Sequence, residues 1–521
     1  MPEVLYNGVT LGTPWPPRRR FPDEHPVLPP YLADPPSVIP IDLGRQLFVD
    51  DFLIEETSMM RSWYAAEYHP ANPILRPETK WELRDDANER NQRPMNPAAM
   101  VFSDGVFYDP RDQIFKMWYM GGYGVFTCLA TSTDGIKWHR PSFDVVKGTN
   151  IVHTATRDSS TVWLDLLERD PNRRYKMSYW YDHRLVLSTS PDGVHWTDLG
   201  STAVTGDRST FFQNPFRRKY VFSLRANQNE LAQNGRYRKY WESSTFGTAP
   251  TWSPSEAVAW VKADSADFAR PGMPTPPELY NLDCVAYESV MLGLFSVWRG
   301  ETAVREKINE VTVGFSRDGF HWHRPDRSTF IGVSDEDGSW NWGNIQSAGG
   351  CCTVVGDRLH FYVSGRAGRP GTQDPGVCST GLATLRRDGF ASMDWLPDQA
   401  RIQPRASTGT LTTRPVRFSG THLFVNADAA GGELRVEVLD RGGRAIAPLT
   451  AAACVPVTDN GTRLPVRWTR GSIADVAGQD VRLRFTLTRG RLFAFWVAPS
   501  ELGQSRGYVA AGGPGFKGPT D

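Results

Sequence analysis

Three stretches of this 521-residue chain repeat one short pattern. Thr131–Pro141 reads TSTDGIKWHRP, Ser188–Trp196 reads STSPDGVHW and Phe315–Pro325 reads FSRDGFHWHRP. The shared element is Ser-x-Asp-Gly-x-x-Trp. A weaker echo without the Trp, LRRDGF, runs from Leu385 to Phe390. The aspartates Asp134, Asp192, Asp318 and Asp388 are 58, 126 and 70 residues apart. The long middle interval fits two units, with a degenerate one at Tyr240–Trp252 (YWESSTFGTAPTW). Five units of roughly 50–65 residues each constrain the fold to a repeat architecture.

Each unit carries a second signature ahead of the Asp-Gly turn: an apolar, aromatic-rich strand, a turn, and a second such strand. These fall at 105–122, 161–181, 210–225, 284–300 and 351–366. Asp-Pro, Asn-Pro and Gly-Asp pairs at or near the centres of several are turn formers, and the flanking runs read as buried strands. The Asp-Gly turn then closes a second hairpin and the Trp packs between neighbouring sheets. Five four-stranded units make an all-β, five-bladed propeller over about 46–400, and the repeats themselves are structural. From about 405 to 500 the pattern changes to clean alternation with Gly-Gly turns, predicting a β-sandwich. Residues 1–45 read as a Pro-rich extended arm and 501–521 as a flexible Gly-rich tail. The Gly513–Gly518 GxGxxG lacks the strand-then-helix context of a nucleotide site.

Composition narrows the function. Lys+Arg and Asp+Glu both number 58, a balance that argues against a nucleic-acid partner. No long apolar run predicts a membrane span. Six scattered cysteines lack metal-ligand spacing and read as reduced, buried thiols. No cofactor is expected, and a structural metal in the propeller channel is left open. The first residues have no apolar segment of a signal peptide, which predicts a cytoplasmic chain as written and a secreted one if the start has been trimmed. Oligomeric state is not legible.

A propeller with these repeats, followed by a sandwich, resembles the glycoside hydrolase family 32-like group, with the family 43 and family 130 propellers as cousins. The resemblance spans about 45–500. It implies a carbohydrate substrate and a glycosidase acting on a furanoside or similar terminal sugar of an oligo- or polysaccharide by a two-carboxylate mechanism. In that group a carboxylate at the first inner strand is nucleophile or base, one in an Arg-Asp-Pro motif of blade 2 steadies the transition state, and a Glu of blade 3 is the acid. This chain lacks Trp-Met-Asn-Asp-Pro-Asn; the nearest stretch is Arg93-Pro94-Met95-Asn96-Pro97. Its Arg169-Asp170-Pro171 falls in a turn, so Arg157-Asp158 is the better match, and no Glu-Cys pair marks blade 3.

Ligands of propellers sit over the central channel, reached from the starts of the inner strands. Asp104, Asp158, Asp207 and Asp283 occupy that position in the sequence; the fifth blade has Asn344 and Gln346. Charges entering apolar strands are costly unless paired or used. Asp104 is therefore expected as nucleophile or base and Asp158 as stabiliser. Glu288 is the preferred acid, because an apolar strand would raise its pKa; Asp207 is its rival, and an ion pair of Glu288 with an arginine such as Arg299 is the structural alternative. Trp340 and Trp342, bracketing Asn341, form either a sugar platform or ordinary packing. Arg208, Arg299 and Arg366 could grip hydroxyls or a carboxylate. Two other readings stand beside the glycosidase: a family 130-type phosphorylase and a non-catalytic sugar-binding propeller.

Overall fold

The computed structural model describes residues 2–83, 96–226, 235–247, 256–273, 275–396 and 407–521. Five sheets follow one another along the chain as blades. Blade 1 is Ala99–Asp109, Ile114–Gly121, Phe126–Ser132 and Ile151–His153; blade 2 is Ser160–Leu164, Tyr175–Tyr181, Arg184–Ser190 and Thr197–Ser201. Blade 3 is Thr210–Asn214, Lys219–Arg225, Tyr237–Ser243 and Val258–Lys262. Blade 4 is Glu278–Glu288, Val290–Thr302 and Arg305–Ser316, and blade 5 is Asn344–Val355, Arg358–Arg366 and Cys378–Arg386. All pairings within a blade are antiparallel. The ring closes because Glu67–Tyr68, from before blade 1, supplies the outer strand of blade 5. The chain is an all-β, five-bladed propeller joined to a β-sandwich.

The repeat explains how blades dock. In each full copy the Ser hydroxyl accepts the Gly N–H and one Asp oxygen accepts the two following N–H groups, at 2.8–2.9 Å for Ser132/Asp134, Ser190/Asp192 and Ser316/Asp318. The turn so fixed offers a carbonyl or carboxylate to the preceding blade. Trp118 of blade 1 donates to Gly193 O (2.8 Å), Trp260 of blade 3 to Phe320 O (2.7 Å), and Tyr362 of blade 5 to Gly135 O (3.0 Å). Arg173 of blade 2 donates to Phe246 O, and Tyr287 of blade 4 to the Asp388 carboxylate. Every blade thus holds the turn of the next. The degenerate unit keeps this contact at Phe246, although its Trp252 lies outside the described residues.

Two boundaries differ from the sequence reading. Residues 46–63, expected in the propeller, belong to the sandwich: Gln46–Leu47 and Met60–Trp63 join the sheet of Ala391–Trp395, His422–Asp428, Asn460–Val466 and Gly490–Ala498. Ile54–Thr57 joins Gly409–Thr413, Leu434–Leu439 and Arg482–Leu487 in the facing sheet. The reason is packing: Phe48, Phe52, Leu53 and Ile54 fill the sandwich core with Phe485 and Phe495. The tail is also not frayed. Tyr508–Val509 pairs with the end of the blade 4 inner strand, and Ala511 and Gly512 bond to the inner strands of blades 1 and 5 (Tyr108 N to Ala511 O, 2.9 Å; Val354 N to Gly512 O, 2.8 Å). It therefore crosses the lower opening of the channel. Gly513 belongs to this crossing, since a Cβ there would lie 1.8 Å from Val354 O. All six cysteines are buried.

Candidate functional site

Two irregularities in the inner strands build the floor of the upper channel. In blade 1 the register jumps from Met100↔Met120 to Gly105↔Trp118, so 101–104 bulge out opposite a single residue. In blade 5 it jumps from Ser347↔Val363 to Cys352↔Phe361. Bulges of this kind re-aim side chains and recur beside active sites. The two meet, for a Cβ on Gly349 would lie 3.0 Å from Ser103 O. Ser103, at φ +63°, and Arg208, at φ +57°, both sit in the left-handed region and are joined by an Arg208 Nη2 to Ser103 Oγ bond of 3.1 Å. Strained backbone of this sort needs surroundings that over-determine it.

The floor is a buried polar network. Arg157 Nη2 donates to Asp104 Oδ2 at 2.9 Å, and Arg157 Nη1 to the Asp158 carbonyl at 3.2 Å. Asp283 accepts from Ser347 Oγ (2.6 Å) and Asn281 Nδ2 (3.0 Å). Asp104 is 0% exposed. Burial pushes its carboxyl up to about 6, with Arg157 offsetting only part of the desolvation. Burial also raises Asp283, against the pull of Ser347 and Arg208. Above the floor stand half-buried groups: Tyr123, Asp158, Asp207, Arg225, Arg236, Glu278 and Tyr280. Asp207 pairs with Arg225 and Glu278 with Arg236. Arg208 lies over the Phe102 ring at 3.7 Å, and Arg366 over the same ring at 5.4 Å.

The structure thus gathers Asp104, Asp158, Asp283, Arg208 and Arg366 at the channel head, with Asp207 on its rim. It separates the others. Asp104 and Asp283 are mid-strand rather than at strand mouths, because their strands begin at Ala99 and Glu278. Glu288 ends its strand, five residues and about 17 Å beyond Asp283, at the junction with the sandwich. There it is 0% exposed and takes Arg387 Nη2 (3.0 Å), the Arg45 N–H (3.1 Å) and Ser505 Oγ (2.6 Å). Its partners are Arg45 and Arg387, not Arg299. Arg299 lines a separate cavity of about 460 Å³ in blade 4 with Arg270, Arg305 and Glu310. Trp340 packs flat on Gly365 and Gly381, where any Cβ would strike its ring, and Trp342 is buried beneath Arg305. Both rings are thus engaged in packing. Asn344 donates to Lys307 O and Gln346 to Asn344 Oδ1, each at 2.9 Å and buried.

Sequence reasoning missed Ser103, Asn281, Ser347, Phe102 and Arg225. Gly349-Gly350 within a strand run was a readable sign of a bulge; the rest carry no pattern. Of Arg93–Pro97, residues 93–95 lie outside the described residues, and Asn96 caps a loop by donating to Gly376 O at 2.9 Å. Asp170 serves its own turn, accepting from Asn172 N at 3.0 Å.

The sequence matches no family model and no curated protein. Solved structures with similarity include an exo-β-1,3-galactanase from Phanerochaete chrysosporium with galactose (12% identity, TM-score 0.35, covering 76% of this chain and 96% of that one). Another is a thermostable family-43 glycoside hydrolase (10%, 0.40, 57% and 95%). A third is a fructofuranosidase variant from Schwanniomyces occidentalis complexed with fructosylnystose (12%, 0.35, 79% and 98%).

Proposed function

We propose that this chain is a glycoside hydrolase whose active site is the upper mouth of the propeller. The observation that carries this reading is the convergence of carboxyls from different blades on one channel head, with Asp104 held up to about 6 by burial beneath the half-buried Asp158. Strongly shifted carboxyls in one cleft mark sites of proton chemistry. Glycoside cleavage needs two carboxyls, one to protonate the leaving oxygen and one to attack the anomeric carbon or activate water. Asp158 and Asp207, from blades 2 and 3, stand half-buried at the mouth, as does Glu278 of blade 4; Asp207 pairs with Arg225 and Glu278 with Arg236. Asp158 takes the nucleophile or base role and Asp207 the acid, a role that requires bound substrate to displace Arg225 from its carboxylate. Asp104 is a positioning residue: it anchors Arg157, which holds the backbone of Asp158.

The test is a screen of aryl glycosides, fructans and arabinans with wild type, Asp158→Asn and Asp207→Asn. Each substitution is expected to lower turnover about a thousand-fold or more while leaving sugar binding within a few-fold. A second reading, a sugar-binding propeller without turnover, is favoured by the complete enclosure of Asp104. Sugar binding by wild type with no cleavage across the panel would establish it.

A further inference from the structure

We propose that the sugar taken at this mouth carries a carboxylate, as a uronic acid unit does, and that Arg208 receives it. This rests on the reading of the mouth as a sugar-cleaving site and names its substrate class. Arg208 is 2% exposed. Its guanidinium makes one hydrogen bond, to the neutral Ser103 hydroxyl, and its Nε and Nη1 have no partner among the described residues. A buried, singly bonded guanidinium is costly to keep. Desolvation accordingly lowers its pKa.

Asp158 and Asp283 attract it through space, but no acid among the described residues takes a direct hydrogen bond from its guanidinium. Asp104 is taken by Arg157, Asp207 by Arg225 and Glu278 by Arg236. Asp283 is satisfied by Ser347 and Asn281, and burial pushes it toward the neutral form. Arg366, against the same Phe102 ring, adds a second positive charge. The remaining acid acting on Arg208 is Asp158, whose Oδ1 also has no partner. A carboxylate on Arg208, with the sugar ring set between it and Asp158, is an arrangement a uronate offers, its C5 carboxylate lying across the ring oxygen from the anomeric carbon that Asp158 would face. A guanidinium fork suits a planar carboxylate better than a single hydroxyl.

Calorimetric titration of the full chain with D-glucuronate, D-galacturonate, glucose and galactose tests this. At least one uronate is expected to bind about ten-fold or more tightly than its neutral counterpart, less so at high salt. Arg208→Gln removes the preference, and Arg208→Lys, which keeps charge but not the fork, retains part of it. Equal affinity for uronate and neutral sugar, or a preference that survives Arg208→Gln, overturns the proposal. So does Arg208-dependent binding of inorganic phosphate with no uronate binding. Aryl uronides and neutral aryl glycosides then separate the two readings. Cleavage of neutral glycosides alone sinks the carboxylate proposal and leaves the hydrolase. Uronate binding without any cleavage sinks the hydrolase and leaves the carboxylate seat.

Discussion

Asp104 is the buried carboxyl of the channel floor, bonded to Arg157. Free in an unfolded chain it titrates near 3.8, and burial in the native state moves it to about 6. The native state therefore binds the proton more tightly between those values. Its contribution to stability is present below about 3.8 and is lost as pH rises through about 6, on the order of 3 kcal/mol. Asp104→Asn, which cannot ionise, should gain thermal stability relative to wild type on going from pH 4 to pH 7, whatever the fixed cost of leaving Arg157 without its anion. Parallel melting curves at the two pH values check this; a difference that does not change with pH contradicts it. Turnover should rise with pH through an apparent value near 6 as the Asp104–Arg157 pair becomes charged, and Asp104→Asn should flatten that limb. Glu288 is the contrast. Its carboxyl neutralises Arg45 and Arg387 at the junction, and breaking a buried pair costs about 3–5 kcal/mol. Glu288→Gln should lower the melting temperature and leave the turnover of the folded fraction unchanged, the reverse of Asp158→Asn. The sequence placed Asp158 and Asp207 at the starts of inner strands because they directly precede short apolar runs. It misplaced Glu288 because strand length decides which face a residue reaches, and the inner strand of blade 4 begins six residues before Cys284, where the apolar run suggested.

At the scale of the element, the Ser-x-Asp-Gly-x-x-Trp turn was legible because its chemistry is local: two side chains cap three backbone N–H groups within seven residues. Its partner was not, since the donors come from the preceding blade, some 60–230 residues away in sequence. Glycine substitution separates the two effects. Gly148 and Gly193 share φ +82°, but a Cβ at Gly148 meets nothing within 4 Å, whereas one at Gly193 lies 2.5 Å from the Trp118 ring. Gly148→Ala should cost about 1 kcal/mol from backbone strain alone. Gly193→Ala should cost at least twice as much, because the buried indole is also displaced from its bond to Gly193 O. Equal shifts in the thermal midpoint would show that the turn does not hold the blades together. The bulges that raise Ser103, Asp104 and Ser347 into the channel follow the opposite logic: they break the pairing that made the strands readable, so their position follows from contact between blades 1 and 5 and not from local sequence.

Across the whole molecule, propeller and sandwich are interleaved. Strands from 46–63 leave the start of the propeller to complete the sandwich, Glu67–Tyr68 closes blade 5, and the tail returns across the lower opening. Sequence periodicity showed both architectures but assigned the shared strands to the wrong one, because two- and four-residue strands have no period of their own. This closure leaves the upper mouth as the face where carboxyls and arginines stand half-buried. The claim that this mouth cleaves glycosides is tested most directly by steady-state turnover of a cleaved glycoside by Asp158→Asn, alongside its binding of the same sugar. The account predicts binding within a few-fold of wild type and turnover lower by about a thousand-fold or more; wild-type turnover in Asp158→Asn would contradict it.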